Sequence, residues 1–441
     1  MWSIASSSSS QAALRGLHGA FPRSSRVLRV LPSPPPTTAM ALARQQKRFV
    51  NMPMGGDMAA KMTESMRANP VAWWLFGCAG LIATTMTVGA AGPLTRTGAS
   101  MLYWVPKEHF PPRSEEDWRH EFSLYRDFAQ RHQRIPMTYE DFKRRFKYEY
   151  THRLIGEGTT FAFLGPLAYF YVKERLPTSI HSYLAGVLAL GATQMYIGRR
   201  MVQNLVAERH GRDPNKDPNF VAPHGLTYDN AFSMANLALL VWAGLHVVSP
   251  SGRAVKLREM TMVHSLKDIG ELRRYFQYAT ALFLGTAGAG TLVAGIDAGK
   301  EYNTFPKMGK KWIPDGLFER SPWLHNFYEN VALVQLDHRL LAVGTLSAYS
   351  FIYMKARKPH LWDALPPETK QALNWTMLAV GGQVLGGITM LVNAVPTALA
   401  MVHTSGAAAI LGTSLWTLHT LRFARPGGVV NAAAKVAAKA L

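Results

Sequence analysis

The sequence predicts an all-α, polytopic membrane protein, with eight transmembrane helices arranged as two pseudo-symmetric four-helix bundles. Three observations predict it. Eight apolar stretches approach the roughly 20 residues that cross a bilayer as helix. All eight are rich in Gly, Ala, Ser and Thr, the small residues that let helices approach closely in lipid. A His-Arg-Leu triplet occurs twice, from His152 and from His338, each time near the start of an even-numbered stretch. Such recurrence marks an internal repeat.

The first 48 residues carry Arg15, Arg23, Arg26, Arg29, Arg44, Lys47 and Arg48, nine serines and no acidic residue. That is the composition of a mitochondrial transit peptide, and the continuous apolar core of a secretory signal is missing. The "LPSPPPTT" run inside it reads as linker, because successive prolines cannot form helix. The predicted spans follow at 71–92, 151–171, 179–198, 226–248, 275–298, 333–353, 373–395 and 396–418. Between the first two lies a long charged segment, 93–150. Within it "DWRHEFSLYRDF" and "MTYEDFKRRF" have helical periodicity, and they are expected to form an ordered cap over the membrane domain. A tight turn near Asn393 and Pro396 joins the last two spans. The domain reading is a 49–250 half, a 251–425 half and a 426–441 tail.

Composition removes several classes. The formal net charge is +20, but the basic residues are spread over the termini and connectors. No basic helix carries interleaved aromatics, so no nucleic-acid partner is expected. The mean hydropathy of −0.03 averages apolar spans with charged loops. Cys78 is the one cysteine, which excludes an intrachain disulfide or a CxxC metal site. Arg253, Lys256, Arg258, Lys267, Arg273 and Arg274 follow the fourth span. Lys355, Arg357 and Lys358 follow the sixth, and Arg422 and Arg425 the eighth. By the positive-inside rule these share one side with the N-terminus, the matrix side of a mitochondrial inner membrane.

A second correspondence links the fourth and eighth spans. Asp229 stands thirteen positions before Trp242, and His403 thirteen before Trp416; Pro223 and Pro396 precede them one residue out of register. The ends of the first and fifth spans, "GAAGPLTRTGAS" and "GAGTLVAGIDAGKEYNTFP", are also alike. Under this duplication, His338 and His403 are histidines from facing helices at equal depth, an arrangement that clamps a haem iron inside a helix bundle. Arg153 and Arg339, each next to its histidine, offer a planar fork for a propionate. The first half has His152 but Asp229 where its second histidine would fall. Asp229 also suits a helix N-cap, being near the span's start. Glu149 lies one turn before His152 on the same face, placed to move protons or to stabilise positive charge. It would equally serve as an ion-pair partner of Arg145 or Arg153. His181, His210, His224, His246, His264, His325 and His419 have no matched partner and are expected at surfaces or interfaces.

Several stretches carry a family resemblance: "YEYTHR" from Tyr148, "AGIDAG" from Ala294, "EYNTFPKMGKKWIPDG" from Glu301, "ENVALVQLDHRLLA" from Glu329 and "VPTALAMVHTSGA" from Val395, with "LTRTGASM" and "FPPRSEEDW" in the first long connector. Over about 72–422 the chain resembles the mitochondrial haem A synthases. The resemblance implies that His338 and His403 bind a resident haem b. It also implies that His152 ligates the substrate haem O, and that Glu149 is the catalytic carboxylate. The implied reaction oxidises the C8 methyl of haem O to a formyl group for cytochrome c oxidase assembly. The implied partners are the haem O-forming farnesyltransferase, a ferredoxin-type electron donor and cytochrome c oxidase assembly factors; the small-residue faces permit a homo-oligomer. One departure stands out. The family's fourth-span histidine falls at Asp229 here, or at Asn236 with a seven-residue slip. The usual Tyr-Arg before it reads His224-Gly225, and Arg199 and Arg200 replace aromatics. Two readings follow: a haem A synthase, or a catalytically degenerate relative that keeps haem b as an assembly factor or structural subunit of a respiratory complex. His224 offers itself as a replacement ligand. A solute transporter has no broken-helix signal to support it.

Overall fold

The computed structural model describes residues 69–91, 111–131, 138–209, 225–249 and 263–424. The transit peptide, the "LTRTGASM" stretch, His210, Pro223, His224, Arg253, Lys256, Arg258, Arg425 and the tail lie outside these residues. Among the described residues the regular structure is helical, with no strand.

Helix α1 spans Pro70–Gly89. It starts where it does because the Asn69 side chain accepts from Val71 N and Ala72 N at 3.1 and 3.4 Å, and Pro70 fills a first-turn site that has no N–H partner anyway. Helix α2, Glu115–Arg131, opens on a reciprocal cap. Ser114 Oγ accepts from Asp117 N and Asp117 Oδ2 from Ser114 N, both at 3.0 Å, while three acids in the first turn suit the helix dipole. Helix α3 spans Tyr139–Val172, capped by Thr138. The "MTYEDFKRRF" segment is thus not a separate cap helix. It runs unbroken into the second predicted span, since no Gly or Pro interrupts the chain from 139 to 155. His152 therefore sits inside a helix, not at its mouth. A cluster of Tyr125, Phe142 and Phe146, with Trp118 and Phe122 against it, fastens α2 to α3.

The remaining long helices are α4 (His181–Arg209), α5 (Gly225–Val248), α6 (Val263–Gly295), α7 (Val331–Ala356), α8 (Pro367–Val392) and α9 (Thr397–Thr420). All eight predicted spans coincide with helices. Five of these helices, α1, α5, α6, α8 and α9, are long and apolar enough to cross a membrane. Helices α3, α4 and α7 have the length but carry more polar residues. Large apolar side chains point outward on several of them, among them Phe161, Met195, Leu385 and Val402, as expected where the surrounding medium is lipid.

The packing follows one scheme twice. Helix α1 packs on α3 and α5, and α4 on α5; correspondingly, α6 packs on α7 and α9, and α8 on α9. Helices α1, α5, α6 and α9 meet in the middle, where α9 touches both α5 and α1. Hydroxyl pairs tie the interior across helices, Thr286–Thr345 at 2.7 Å and Tyr349–Ser414 at 2.8 Å, and an exposed pair, Thr87–Ser405 at 2.9 Å, joins α1 to α9. Bonds of this kind satisfy polar groups where water is scarce.

Candidate functional site

Helix α7 places His338. Its start is set by Asn330, whose side chain accepts from Ala332 N and Leu333 N at 3.0 and 3.2 Å. Asn330 also donates to Gly316 O at 2.6 Å, and Gly316 has a φ of +75° that only glycine takes without strain. One turn into α7, Gln335 donates to Ala298 O at 3.0 Å. Arg339 donates to the carbonyls of Tyr302 and Thr304 at 2.9 Å, and to those of Lys307 and Pro306 at 3.2 and 3.3 Å. The "EYNTFP" loop is thus folded onto α7 beside His338. Arg339 Nε stays buried with no hydrogen-bond partner among the described residues.

The His338 ring rests against α6. Its Nδ1 lies 3.1 Å from Thr286 O, and a Cβ on Gly290 would fall 2.9 Å from Cε1. The first half repeats this on α1. His152 Nδ1 lies 3.0 Å from Thr85 O, and a Cβ on Gly89 would fall 2.8 Å from Cε1. Both rings therefore sit in a Thr-x-x-x-Gly frame, with the threonine carbonyl as anchor and the glycine as the space for the ring. A carbonyl at Nδ1 fixes the proton there and leaves Nε2 with its lone pair, the state a metal-ligating histidine needs.

His403 on α9 is framed by α8. Gln383 Nε2 donates to His403 O at 3.0 Å and lies 3.2 Å from His403 Nε2. A Cβ on Gly387 would fall 2.8 Å from the ring, and His403 Nδ1 is buried with no partner among the described residues. The His338 and His403 rings are near enough for their charges to interact. Two imidazoles from different helices, one with an orphaned ring nitrogen and both in glycine notches, are a donor set that fits a haem iron.

The first half diverges here. Asp229 is not the N-cap of its helix, because α5 begins a turn earlier, at Gly225. Its carboxylate instead accepts from Gln194 Nε2 of α4 at 2.9 Å. Gln194 also contacts Ser233 at 2.7 Å and Asn236 at 3.4 Å, so the two alternative ligand positions, Asp229 and Asn236, do share a face. The Asp229 carboxylate is within electrostatic reach of His152, but as a hard oxygen donor it does not match the imidazole set. Of the two arginines expected beside Glu149, Arg153 forms an ion pair with it, and both side chains are largely buried.

Two histidines expected without partners have each other. His419 Nε2 lies 3.2 Å from His246 Nδ1 across the α5–α9 interface, and Arg422 Nη1 donates to His419 Nδ1 at 2.9 Å. The chain carries no matched spacing for this pair: His246 follows Trp242 by four positions and His419 follows Trp416 by three. His325 pairs with Glu329 at 3.0 Å.

Comparison with known proteins identifies the family. The COX15-CtaA profile, described as cytochrome oxidase assembly protein, matches residues 72–415. The chain is 35% identical over 396 residues to heme A synthase COX15 of Arabidopsis thaliana, covering 88% of this chain and 81% of the relative. It is 33% identical over 352 residues to heme A synthase COX15 of Homo sapiens, covering 79% and 82%. A heme A synthase-mitochondrial ferredoxin fusion protein of Schizosaccharomyces pombe is 32% identical over 396 residues, covering 85% of this chain and 63% of that protein. With the profile spanning most of its length and these identities, the chain belongs to the COX15-CtaA family of cytochrome oxidase assembly proteins.

Proposed function

We propose that this chain is a haem A synthase of the mitochondrial inner membrane, oxidising the C8 methyl of haem O to a formyl group. The observation that carries the reading is the repeated histidine frame, His152 on Thr85 and Gly89, His338 on Thr286 and Gly290. Packing alone does not call for two imidazoles with their proton fixed on Nδ1 and their rings seated in glycine notches. The relatives named heme A synthase supply the substrate. In this reading the eight long helices are eight spans in two bundles, 49–250 and 251–425, with both termini in the matrix.

His338 and His403 hold haem b, which when bound supplies one-electron transfer. Arg339 stiffens the 302–307 loop over that site and keeps its Nε–H for a propionate oxygen. In the first half His152 holds the substrate haem. Arg153 fixes Glu149 one turn away on the same face, where its carboxylate takes protons released as the methyl is oxidised. A ferredoxin-type donor is supported by the fused Schizosaccharomyces pombe relative; the haem O-forming farnesyltransferase and oxidase assembly factors are the partners the reaction calls for.

Asp229 favours a second reading, a non-catalytic relative with haem b alone. Haem extraction with pyridine haemochrome spectra separates the two. Haem b together with haem O or A supports the synthase, as does loss of haem A on gene deletion. Haem b alone, with normal haem A after deletion, refutes it.

A further inference from the structure

Gln383 and Gly387 frame His403, and the other half of the chain holds the same pair. Gln194 is followed four residues later by Gly198, as Gln383 is by Gly387. Each glutamine reaches the matching residue of the next helix through the same atoms: Gln383 Nε2 to His403 O at 3.0 Å, and Gln194 Nε2 to Asp229 O in a longer contact of 3.5 Å. At Gly387 a Cβ would strike the His403 ring; at Gly198 a Cβ would meet nothing within 4 Å. The glycine is present at the matching place in the first half, and no ring lies against it. The residue three places on explains the glutamine's different tilt. Gly406 leaves room for Gln383 Oε1, which lies 2.1 Å from where its Cβ would be. Phe232 stands at the corresponding place, and Gln194 Oε1 turns to Asn236.

We propose that the first half is built for a porphyrin held by one axial histidine, His152, and that Gln194 and Ser233 position the Asp229 carboxylate over the opposite axial side. That side then takes a small hydrogen-bonding ligand of the water or hydroxyl class instead of an imidazole. Gln194 and Ser233 are positioning residues here, acting through Asp229. The proposal rests on the reading that both halves hold a haem.

The test counts low-spin haem by optical and electron paramagnetic resonance spectra of the ferric full-length protein, loaded with haem b in detergent. The wild type shows one low-spin haem per chain, from His338 and His403, and one high-spin haem from His152. Asp229→His raises the low-spin count to two per chain. Adding Gly198→Leu, which occupies the open space beside that glycine, returns it to one. Asp229→Asn, which keeps size and the bond from Gln194, stays at one and controls for folding. Two bound haems with the low-spin count still at one in Asp229→His overturn the proposal, as does a Gly198→Leu that leaves the gained signal intact. A wild type that binds no haem overturns the parent reading instead, and this one with it.

Discussion

Replacing Gly290 by alanine tests whether the His338 frame is a built cradle or incidental packing. The new Cβ would lie 2.9 Å from His338 Cε1, where carbon atoms prefer about 3.5–4.0 Å. The ring has no easy retreat, because Nδ1 is held by Thr286 O at 3.1 Å. The clash is therefore relieved by breaking that bond or by parting α6 from α7. Overpacking of this kind costs about 1–3 kcal/mol. At tenfold for every 1.4 kcal/mol, haem retention should weaken about 5- to 150-fold. Gly288→Ala is the matched control: it lies on the same helix, and a Cβ there meets nothing within 4 Å. The assay follows haem transfer from the solubilised protein to excess apomyoglobin. Gly290→Ala should lose haem faster than wild type, and Gly288→Ala should match wild type. Equal retention in both variants would refute the cradle.

Other outcomes follow from the same contacts. Glu149→Gln should keep haem binding but lose haem A formation in cells, because the amide cannot take a proton and removes the charge that pairs with Arg153; haem content and haem A yield measured together check this. Asn330→Ala removes the α7 cap and the bond to Gly316 O, and should lower stability by about 1–2 kcal/mol, read as a lower thermal midpoint in detergent. The α2–α3 contact should be pH-sensitive. Bonds from Lys143 and Tyr139 hold the Glu115 carboxyl below its ordinary value of 4.5. The stabilisation is thus present above that pH and lost as pH falls through the lowered value. Hydrogen-exchange protection across 115–131, taken relative to the intrinsic rate at each pH, should fall on acidification from neutral pH to the low end of the carboxylate range, and Lys143→Met should abolish the difference.

Eight helices, their order and the duplicated His-Arg-Leu were legible in the chain, because apolar run length and local repetition are properties of sequence alone. So were the candidates Glu149, His152, His338 and His403. Three readings needed the fold. Asp229 reads as a cap only while the helix start is unknown, and α5 starts a turn earlier. Glu149 had two arginines in reach along the chain, and side-chain geometry brings Arg153 into an ion pair with it. The His246–His419 pair has nothing local to announce it, since it forms only where α5 meets α9. The same holds for the frames. Thr85 with Gly89, Thr286 with Gly290, and Gln383 with Gly387 look like ordinary small and polar residues of membrane helices until a histidine from another helix is laid against them. Span and period are local and written in composition; the seat of a ring is a contact between two helices, and only their packing decides which glycine it meets.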